Sequence, residues 1–165
     1  MAVRDDDRPF LARAVELAAQ ALDAGDMPFG SLLVSADGRV LREERNRVGG
    51  GNQTLHPELA LAQWAPEHLG AAERAETTCY TSGEHCPMCS AAHAWAGLGR
   101  IVYASSARMY ADWLAGWGVP GPAPVASLPI GAVAPQVVAD GPDQDLAQRV
   151  KALHLSYVEQ RRGRP

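Results

Sequence analysis

Two cysteines three positions apart, Cys86 and Cys89, are the first residues in this sequence with an evident chemical use. Pro87 follows the first of them, and proline favours an extended residue before it and the first turn of a helix at its own position. The spacing therefore predicts that Cys86 lies at the start of a helix and Cys89 one turn inside it, so that both sulfurs face one spot. Two thiolates in that arrangement suit a tetrahedral metal ion.

An earlier stretch, His56-Pro57-Glu58, has the same design and is followed by an apolar run. It predicts a second helix with His56 at its start and Glu58 in its first turn. Helix N-termini carry partial positive charge, which favours thiolate over thiol. One imidazole and two thiolates would give Zn²⁺ three protein ligands and leave one position for water, which is the outline of a catalytic zinc site. Glu58 would stand beside that position as the carboxylate that carries protons.

A purely structural zinc site is the alternative, and it requires a fourth protein ligand. Cys79, His85 and His93 are available for that role. Each also has a simpler interpretation, Cys79 as a small buried residue in a strand and the two histidines as polar or packing residues. The H-x-E pattern and the two prolines favour catalysis over a structural role.

Composition limits the remaining possibilities. The chain has 165 residues, of which 47% are hydrophobic and 21% charged, with a formal net charge of −4 and three cysteines. These values predict one soluble domain over residues 1–165, with neither a signal peptide nor a membrane span. So few cysteines indicate metal binding in a reducing compartment, the cytoplasm, rather than a disulfide framework. The acidic balance favours a small substrate over nucleic acid.

The elements that must position these residues follow from periodicity and turn signals. Apolar spacing predicts a first helix over Arg8–Ala24 and a terminal helix over 143–160 with Leu146, Val150, Leu153 and Tyr157 on its apolar stripe. Pro66 should kink or end the helix that begins at Pro57. Further predicted elements are strands over Ser31–Ser35, Val40–Arg45, Thr77–Thr81, Ile101–Ser105 and Val133–Ala139, a helix over Arg108–Ala115 and a loop over Gly116–Pro129. Such alternation predicts a three-layer α/β domain.

The H-x-E and C-P-x-C motifs resemble those of the cytidine deaminase-like superfamily, in the branch that holds guanine, cytosine and tRNA adenosine deaminases. The resemblance runs from about Met27 to Ser105. It implies an α/β/α sandwich with a central five-stranded mixed sheet, zinc held by His56, Cys86 and Cys89, Glu58 as the catalytic proton shuttle, and a homodimer. It departs from the family at three places, one of which is Gly118-Val119-Pro120 after Trp117, where guanine deaminases generally have an acidic residue. Pro57 has no backbone N–H to offer a substrate, and His85 replaces the usual proline before the first cysteine.

The same resemblance suggests substrate-binding residues. Phe29, in Met27-Pro28-Phe29-Gly30, matches a phenylalanine that commonly helps to form the base pocket, although a core aromatic residue is an equal alternative. Asn46 matches an asparagine that typically hydrogen-bonds the base, and we favour that role over a cap on its own loop. Trp95 lies about 240° around the helix from Cys89, which predicts a place in the core.

Together these features predict a zinc-dependent hydrolytic deaminase that acts on a small nucleobase or nucleoside, with an amino-substituted purine or pyrimidine ring, and releases ammonia. A tRNA adenosine deaminase and a non-catalytic module with a structural zinc are the two alternatives.

Overall fold

The computed structural model of the protein describes residues 3–119 and 124–163. The strands are β1 (Gly30–Val34), β2 (Val40–Arg45), β3 (Thr78–Gly83), β4 (Arg100–Ser105) and β5 (Ala139–Asp140). The α-helices are α1 (Arg8–Asp23), α2 (Pro57–His68), α3 (Ala71–Ala75), α4 (Pro87–Ala96), α5 (Ala107–Gly116), α6 (Ile130–Val133) and α7 (Gln144–Arg162). Short 3-10 helices cover Asp5–Asp7 and Val48–Gly50.

The strands form one mixed sheet in the order β2-β1-β3-β4-β5. β1 pairs antiparallel with both β2 and β3, whereas β3, β4 and β5 run parallel to one another. The predicted hairpin of β1 and β2 is confirmed, and it turns at Gly38, whose φ of +84° suits glycine. The carboxyl ends of β3 and β4 therefore lie at the edge of the sheet where β1 begins. In α/β sheets this edge is where ligand sites form.

Helices cover both faces of the sheet. α1 and α7 share one apolar cluster with the sheet, built around Leu11, Val15, Leu32, Val102 and Val150. α2, α4 and α6 contribute to a second cluster with the opposite face, built around Leu33, Leu61, Ala96, Ile101 and Ile130. The alternation of Leu32 and Leu33 between the two clusters is the two-residue period of a strand buried on both sides. The predicted α/β/α sandwich with a central five-stranded sheet is confirmed.

β1 begins in direct contact with α1. A Cβ atom at Gly30 would lie only 2.5 Å from the carbonyl oxygen of Ala14 and from the backbone nitrogen of Ala18. Only glycine permits this approach, because backbone atoms cannot move aside as a flexible side chain does. The start of β1, next to Phe29, is thereby fixed against the first helix.

Two predictions about element boundaries were wrong in part. The last strand is only Ala139–Asp140, because Val133 closes α6 and the chain between them is irregular. α2 continues two residues past Pro66 to His68. A proline this close to a helix end removes a single hydrogen bond while the rest of the helix stays packed. The predicted Gly116–Pro129 loop is confirmed for residues 117–119 and 124–129, which lie between α5 and α6, and residues 120–123 are outside the described part of the chain.

The predicted core position of Trp95 was wrong, because its side chain is 91% exposed. The buried side of α4 consists of Cys89, Ser90, His93 and Ala96. The helix thus turns Cys89 itself into the interior, and a residue about 240° away from Cys89 points outward. In α7, His154 and Val158 continue the buried side from Leu146 and Val150, in place of Leu153 and Tyr157.

Within residues 3–119 and 124–163, we find no helix whose length and hydropathy would let it cross a membrane.

Candidate active site

Two helices begin at the carboxyl edge of the sheet, each with a proline in its first position. His56 is the N-cap of α2, with an extended ψ of 142°, and Cys86 is the N-cap of α4, with a ψ of 167°. The prolines that follow disfavour helical geometry at the preceding residue and supply a fixed φ for the first turn. His56 and Cys86 accept the first backbone hydrogen bonds of their helices, from Ala60 and Ser90. The sequence prediction of both helix starts is confirmed.

The side chains of His56, Cys86 and Cys89 meet at one point. His56 Nδ1 lies 3.6 Å from the sulfur of Cys86 and 3.6 Å from the sulfur of Cys89. A tetrahedral zinc ion with Zn–S of about 2.3 Å and Zn–N of about 2.0–2.1 Å separates such ligand atoms by about 3.5 Å. The three residues are therefore already spaced as zinc ligands, and they could hold the ion without rearrangement.

No fourth ligand joins this group in the described chain. Of the His, Cys, Asp and Glu side chains in residues 3–119 and 124–163, only His56, Cys86 and Cys89 share this 4.8 Å neighbourhood. Cys79, His85 and His93, the residues considered as extra ligands, form a separate buried group instead. An ion at His56, Cys86 and Cys89 would keep one coordination position for a non-protein ligand, as catalytic zinc sites do.

Glu58 stands beside the three ligands in the first turn of α2. Its side chain is 6% exposed. The carboxylate oxygen Oε2 lies 3.8 Å from the sulfur of Cys89, and Oε1 accepts a hydrogen bond of 3.0 Å from the hydroxyl of Thr81. Burial raises the pKa of Glu58, because desolvation penalises the charged carboxylate. A raised pKa suits a group that must both take and release a proton near neutral pH.

Two hydroxyl groups on the strands form a hydrogen-bonded chain that ends at Glu58. Thr81 Oγ1 lies 3.0 Å from Glu58 Oε1 and accepts a hydrogen bond of 2.8 Å from Ser31 Oγ. Thr81 and Ser31 are fully buried. The hydroxyl chain occupies Oε1 and leaves Oε2 as the oxygen on the ligand side. Sequence analysis had treated Thr81 only as a strand residue, and its β-branched side chain gave no sign of this contact.

The ligand side chains show the electrostatic coupling expected of a metal-binding group. A hydrogen bond from Cys89, together with His56, lowers the pKa of the Cys86 thiol to about 4 although burial opposes the shift. The same contact with Cys86, with burial, raises the pKa of Cys89. A hydrogen bond with Cys86 raises the pKa of His56. A bound dication would favour the thiolate form of both cysteines, and the proton held by Cys89 would then be released.

Glu84 fixes the turn between β3 and α4. Its Oε2 accepts a hydrogen bond of 2.9 Å from the backbone N–H of Ala107, the first residue of α5, and its Oε1 one of 3.1 Å from the N–H of Ile130, the first residue of α6. The carboxylate satisfies two helix N-termini at once. The sequence predictions did not include Glu84, although an acidic residue directly before the cysteine motif and after a strand indicates such a role.

Phe29 lies at the same edge of the sheet. Its ring packs against Tyr110 with centroids 5.6 Å apart and against His154 at 4.8 Å, and it covers Gly83, where a Cβ would lie 2.9 Å from the ring. Tyr110 and His154 line a cavity of about 370 Å³ together with Met27, Leu114, Val119 and Tyr157. His56, Glu58, Cys86 and Cys89 do not line that cavity. Whether Phe29 contacts substrate stays a prediction.

Asn46 is 1% exposed and follows β2. Its side-chain oxygen Oδ1 accepts a hydrogen bond of 3.0 Å from the N–H of Val48, so Asn46 does cap its own loop. Its backbone N–H also donates to the carbonyl of Phe29 at 3.0 Å. Among the residues that the structure describes, the amide group Nδ2 has no hydrogen-bond acceptor, so it is the part of Asn46 that could serve a substrate.

In this three-layer α/β/α fold, two helix starts bring one imidazole, two thiolates and a buried carboxylate together, a set of side chains that suits a zinc ion with an open coordination position. Residues 4–105 match the family model of the cytidine and deoxycytidylate deaminase zinc-binding region. The chain belongs to this family, and zinc is its cofactor.

Known proteins of several activities resemble the chain. A probable cytosine deaminase of Schizosaccharomyces pombe is 33% identical over 62% of this chain, and a tRNA-specific adenosine deaminase of Agrobacterium fabrum is 35% identical over 57%. The match spans 62% of the length of each of these two relatives. The crystal structure of a Bacillus subtilis guanine deaminase superposes with a TM-score of 0.57 and 30% identity, covering 78% of this chain and 89% of that one.

Proposed function

We propose that this protein is a zinc-dependent hydrolytic deaminase of a small nucleobase or nucleoside. The observation that carries the proposal is the arrangement of His56, Cys86, Cys89 and Glu58, three ligand atoms at zinc spacing with a buried carboxylate beside them. The family membership and the named activities of the relatives support the same reaction class. Whether the ring is a purine or a pyrimidine is left to the substrate panel.

We propose that His56, Cys86 and Cys89 hold the zinc, which supplies a Lewis acid that acidifies water and stabilises developing negative charge. In the reaction a bond forms between the water oxygen and the ring carbon that carries the amino group, and the bond to that nitrogen breaks to release ammonia. Glu58 takes the proton of water at Oε2, since Thr81 holds Oε1 in place. The same oxygen returns that proton to a ring nitrogen, then takes the second proton from the oxygen now bonded to the ring carbon and delivers it to the departing amine.

Further residues orient the substrate in this proposal. Asn46 donates from Nδ2 to an acceptor on the ring, because its Oδ1 is already used by Val48. Phe29 forms an apolar wall, held on one side by Tyr110 and His154. Pro57, at the first position of α2, has no backbone N–H to contribute.

The test is ammonia release by the zinc-loaded protein from a panel of cytosine, guanine, adenine, their nucleosides and related aminated heterocycles. We expect turnover of at least one compound, and we expect Glu58→Gln to lose about 10²–10⁴-fold in kcat while keeping its zinc. Glu67→Gln is the matched control, because Glu67 lies exposed in the same helix. Retained turnover in Glu58→Gln would refute the role of Glu58, and no turnover of any compound by the native protein would refute the substrate class.

A tRNA adenosine deaminase is the second candidate, because one relative carries that activity. The charges of this chain weigh against it. Many described arginines are engaged by carboxylates, among them Arg13, Arg42, Arg45 and Arg100. These ion pairs reduce the positive charge that is available to a phosphate backbone. A gel shift with tRNA at two salt concentrations separates the candidates, since binding that weakens steeply with salt would favour the tRNA substrate.

We also propose that the protein acts as a homodimer in the cytoplasm, where its three unpaired cysteines would stay reduced. Trp95 supports the dimer, because a tryptophan that is 91% exposed on α4 offers a large apolar surface for a second copy. Light scattering should give twice the monomer mass for the native protein and a larger monomer fraction for Trp95→Glu. A monomeric native protein would refute the dimer.

A further inference from the structure

A second group of metal-ligating side chains lies in the interior, separate from the proposed zinc site. Cys79 is on β3, His85 is in the turn after β3, and His93 is on α4. One ligand atom from each lies within 4.8 Å of the others, and the sulfur of Cys79 is 4.0 Å from His85 Nε2. Each of the three residues is only 1% exposed. Polar groups this deep are rare unless they have a partner.

One ring nitrogen of His93 is held by a backbone carbonyl. Its Nε2 lies 2.9 Å from the carbonyl oxygen of Gly99. A carbonyl can only accept, so Nε2 carries the hydrogen and Nδ1 keeps the lone pair of the neutral ring. Metal-ligating histidines are commonly oriented in this way, by donating from one nitrogen to a backbone carbonyl while the other binds the ion.

His85 supplies an independent sign that something is bound here. Its Nδ1 atom is buried, and among residues 3–119 and 124–163 it has no hydrogen-bond partner. Its Nε2 atom faces only the sulfur of Cys79, at a distance too long for a strong hydrogen bond. A buried imidazole with no good partner on either nitrogen is costly, and a metal ion that takes one lone pair removes part of that cost.

We propose that Cys79, His85 and His93 form a second, fully buried metal site for a thiophilic closed-shell cation, with Cu⁺ favoured over Zn²⁺. One thiolate and one or two imidazoles are the donors that both ions accept. A thiolate with two neutral imidazoles carries one negative charge, so Cu⁺ gives a neutral site, whereas Zn²⁺ leaves a positive charge buried. Zinc also prefers a fourth ligand, and this group has three.

Binding at this site is an exchange of proton for metal. The S–H bond of Cys79 breaks, a sulfur–metal bond forms, and the proton leaves to solvent, with no change of oxidation state. The ligand atoms must approach one another by up to about an ångström, from 4.8 Å at most to the spacing of a coordination shell. Because His85 precedes Cys86 and His93 lies one turn after Cys89, the ion would tie the helix of both zinc thiolates to β3.

Metal stoichiometry tests the proposal and does not depend on finding the substrate. The full-length chain, stripped by a chelator, is titrated anaerobically with Cu⁺ against bicinchoninate, and in a second arm with Zn²⁺ against a chromophoric zinc chelator. In the Cu⁺ arm we expect the native protein to bind two equivalents of metal and Cys79→Ser to bind one. Cys86→Ser, which damages only the first group, should keep one equivalent in the Cu⁺ arm.

A second equivalent in either arm that disappears in Cys79→Ser supports the site, and the arm in which it appears identifies the ion. One equivalent for the native protein in both arms overturns the site, and so does a second equivalent that survives in Cys79→Ser. If Cys79→Ser does not fold, X-ray absorption at the copper edge of native protein preloaded with Zn²⁺ replaces it. One sulfur and two nitrogens support the assignment, and two sulfurs overturn it. Loss of deaminase activity in either variant has no bearing on these counts.

Discussion

Replacing Arg100 by methionine should lower the free energy of unfolding, because Arg100 is a largely buried cation that links separate parts of the fold. Arg100 begins β4 and makes paired hydrogen bonds of 2.7 and 2.8 Å to the two carboxylate oxygens of Asp7. Its Nε donates at 2.7 Å to Asp140 on β5. Asp7 also accepts from the hydroxyl of Tyr80, at 2.9 Å. One guanidinium thus joins the N-terminal segment, the sheet interior and the last strand.

The magnitude follows from burial. Asp7 is 3% exposed and Asp140 is 1% exposed, and Arg100→Met removes the guanidinium that pairs with both oxygens of Asp7 and donates to Asp140. Breaking a buried pair from one side costs about 3–5 kcal/mol. Asp7 keeps its hydrogen bonds from Tyr80 and from the backbone N–H of Arg4, which places the expected loss near about 3 kcal/mol. Against a total stability of about 5–15 kcal/mol this is a large effect.

The stability difference between the native protein and Arg100→Met should depend on pH in a defined direction. Burial alone would raise the pKa values of Asp7 and Asp140, but hydrogen bonds and nearby positive charge, those of Arg100 among them, outweigh it and hold both pKa values below their ordinary value. Each native carboxylate therefore contributes stability that is present above the unfolded pKa and is lost as pH falls through the folded pKa. In Arg100→Met, fewer favourable contacts oppose burial, so the pKa values of Asp7 and Asp140 should be higher than in the native protein. The stability gap between the two proteins should be widest at neutral pH and should narrow towards pH 4.

Urea unfolding followed by circular dichroism at pH 7, 5.5 and 4 measures this gap. Arg39→Met is the matched control, because Arg39 pairs with Asp37 at the surface and its loss should leave the midpoint unchanged. An Arg100→Met protein as stable as the native one at pH 7 would refute the reasoning. A gap that widens on acidification would also refute it, since the carboxylates would then not be its source.

Three further substitutions test the contacts around the site. Thr81→Val removes the hydroxyl that holds Glu58 Oε1 and should lower kcat by about 10-fold or more in the ammonia assay, whereas Thr81→Ser should restore most of it. Gly30→Ala forces a Cβ to within 2.5 Å of the backbone of α1 and should lower the free energy of unfolding by about 1–3 kcal/mol in urea. Glu84→Ala removes the acceptor for the first N–H groups of α5 and α6 and should cost about 1–3 kcal/mol by the same measurement, with Glu84→Gln intermediate.

Much of the site could be predicted from the sequence because its signals are local. The prolines at positions 57 and 87 determine where α2 and α4 begin, and each ligand is within three residues of one of them. β2 spans Val40–Arg45 as predicted, because the Asp37-Gly38 turn and the β-rich run after it are adjacent in the chain. Such features depend on φ restrictions and periodicity, which need no knowledge of tertiary packing.

The remainder depends on contacts between residues that are distant in the chain. Thr81 and Glu58 are separated by 23 positions, and nothing in either neighbourhood encodes their hydrogen bond. The predicted apolar stripe of α7 did not include His154. A histidine lies on the buried side of this helix because it packs against Phe29 and Tyr110, and those contacts are not visible in the local sequence. The core prediction for Trp95 was wrong because hydrophobicity alone does not determine which side of α4 faces the sheet.

The two prolines that start the helices also limit how this site can recognise a ring. Pro57 occupies the first position of α2 and has no N–H, so the amide that a different residue would present beside Glu58 does not exist. The carboxylate and the thiolates are acceptors or metal ligands, and the hydroxyl of Thr81 is directed to Glu58 and not to the ligand side. A hydrogen bond donated to the ring must then come from a side chain outside the two helix starts. In the proposed function this donor is Asn46, because its Oδ1 accepts from Val48 and Nδ2 is left to donate. Because Pro57 offers no amide N–H, we propose that the loop between β2 and α2 contributes to selection of the ring.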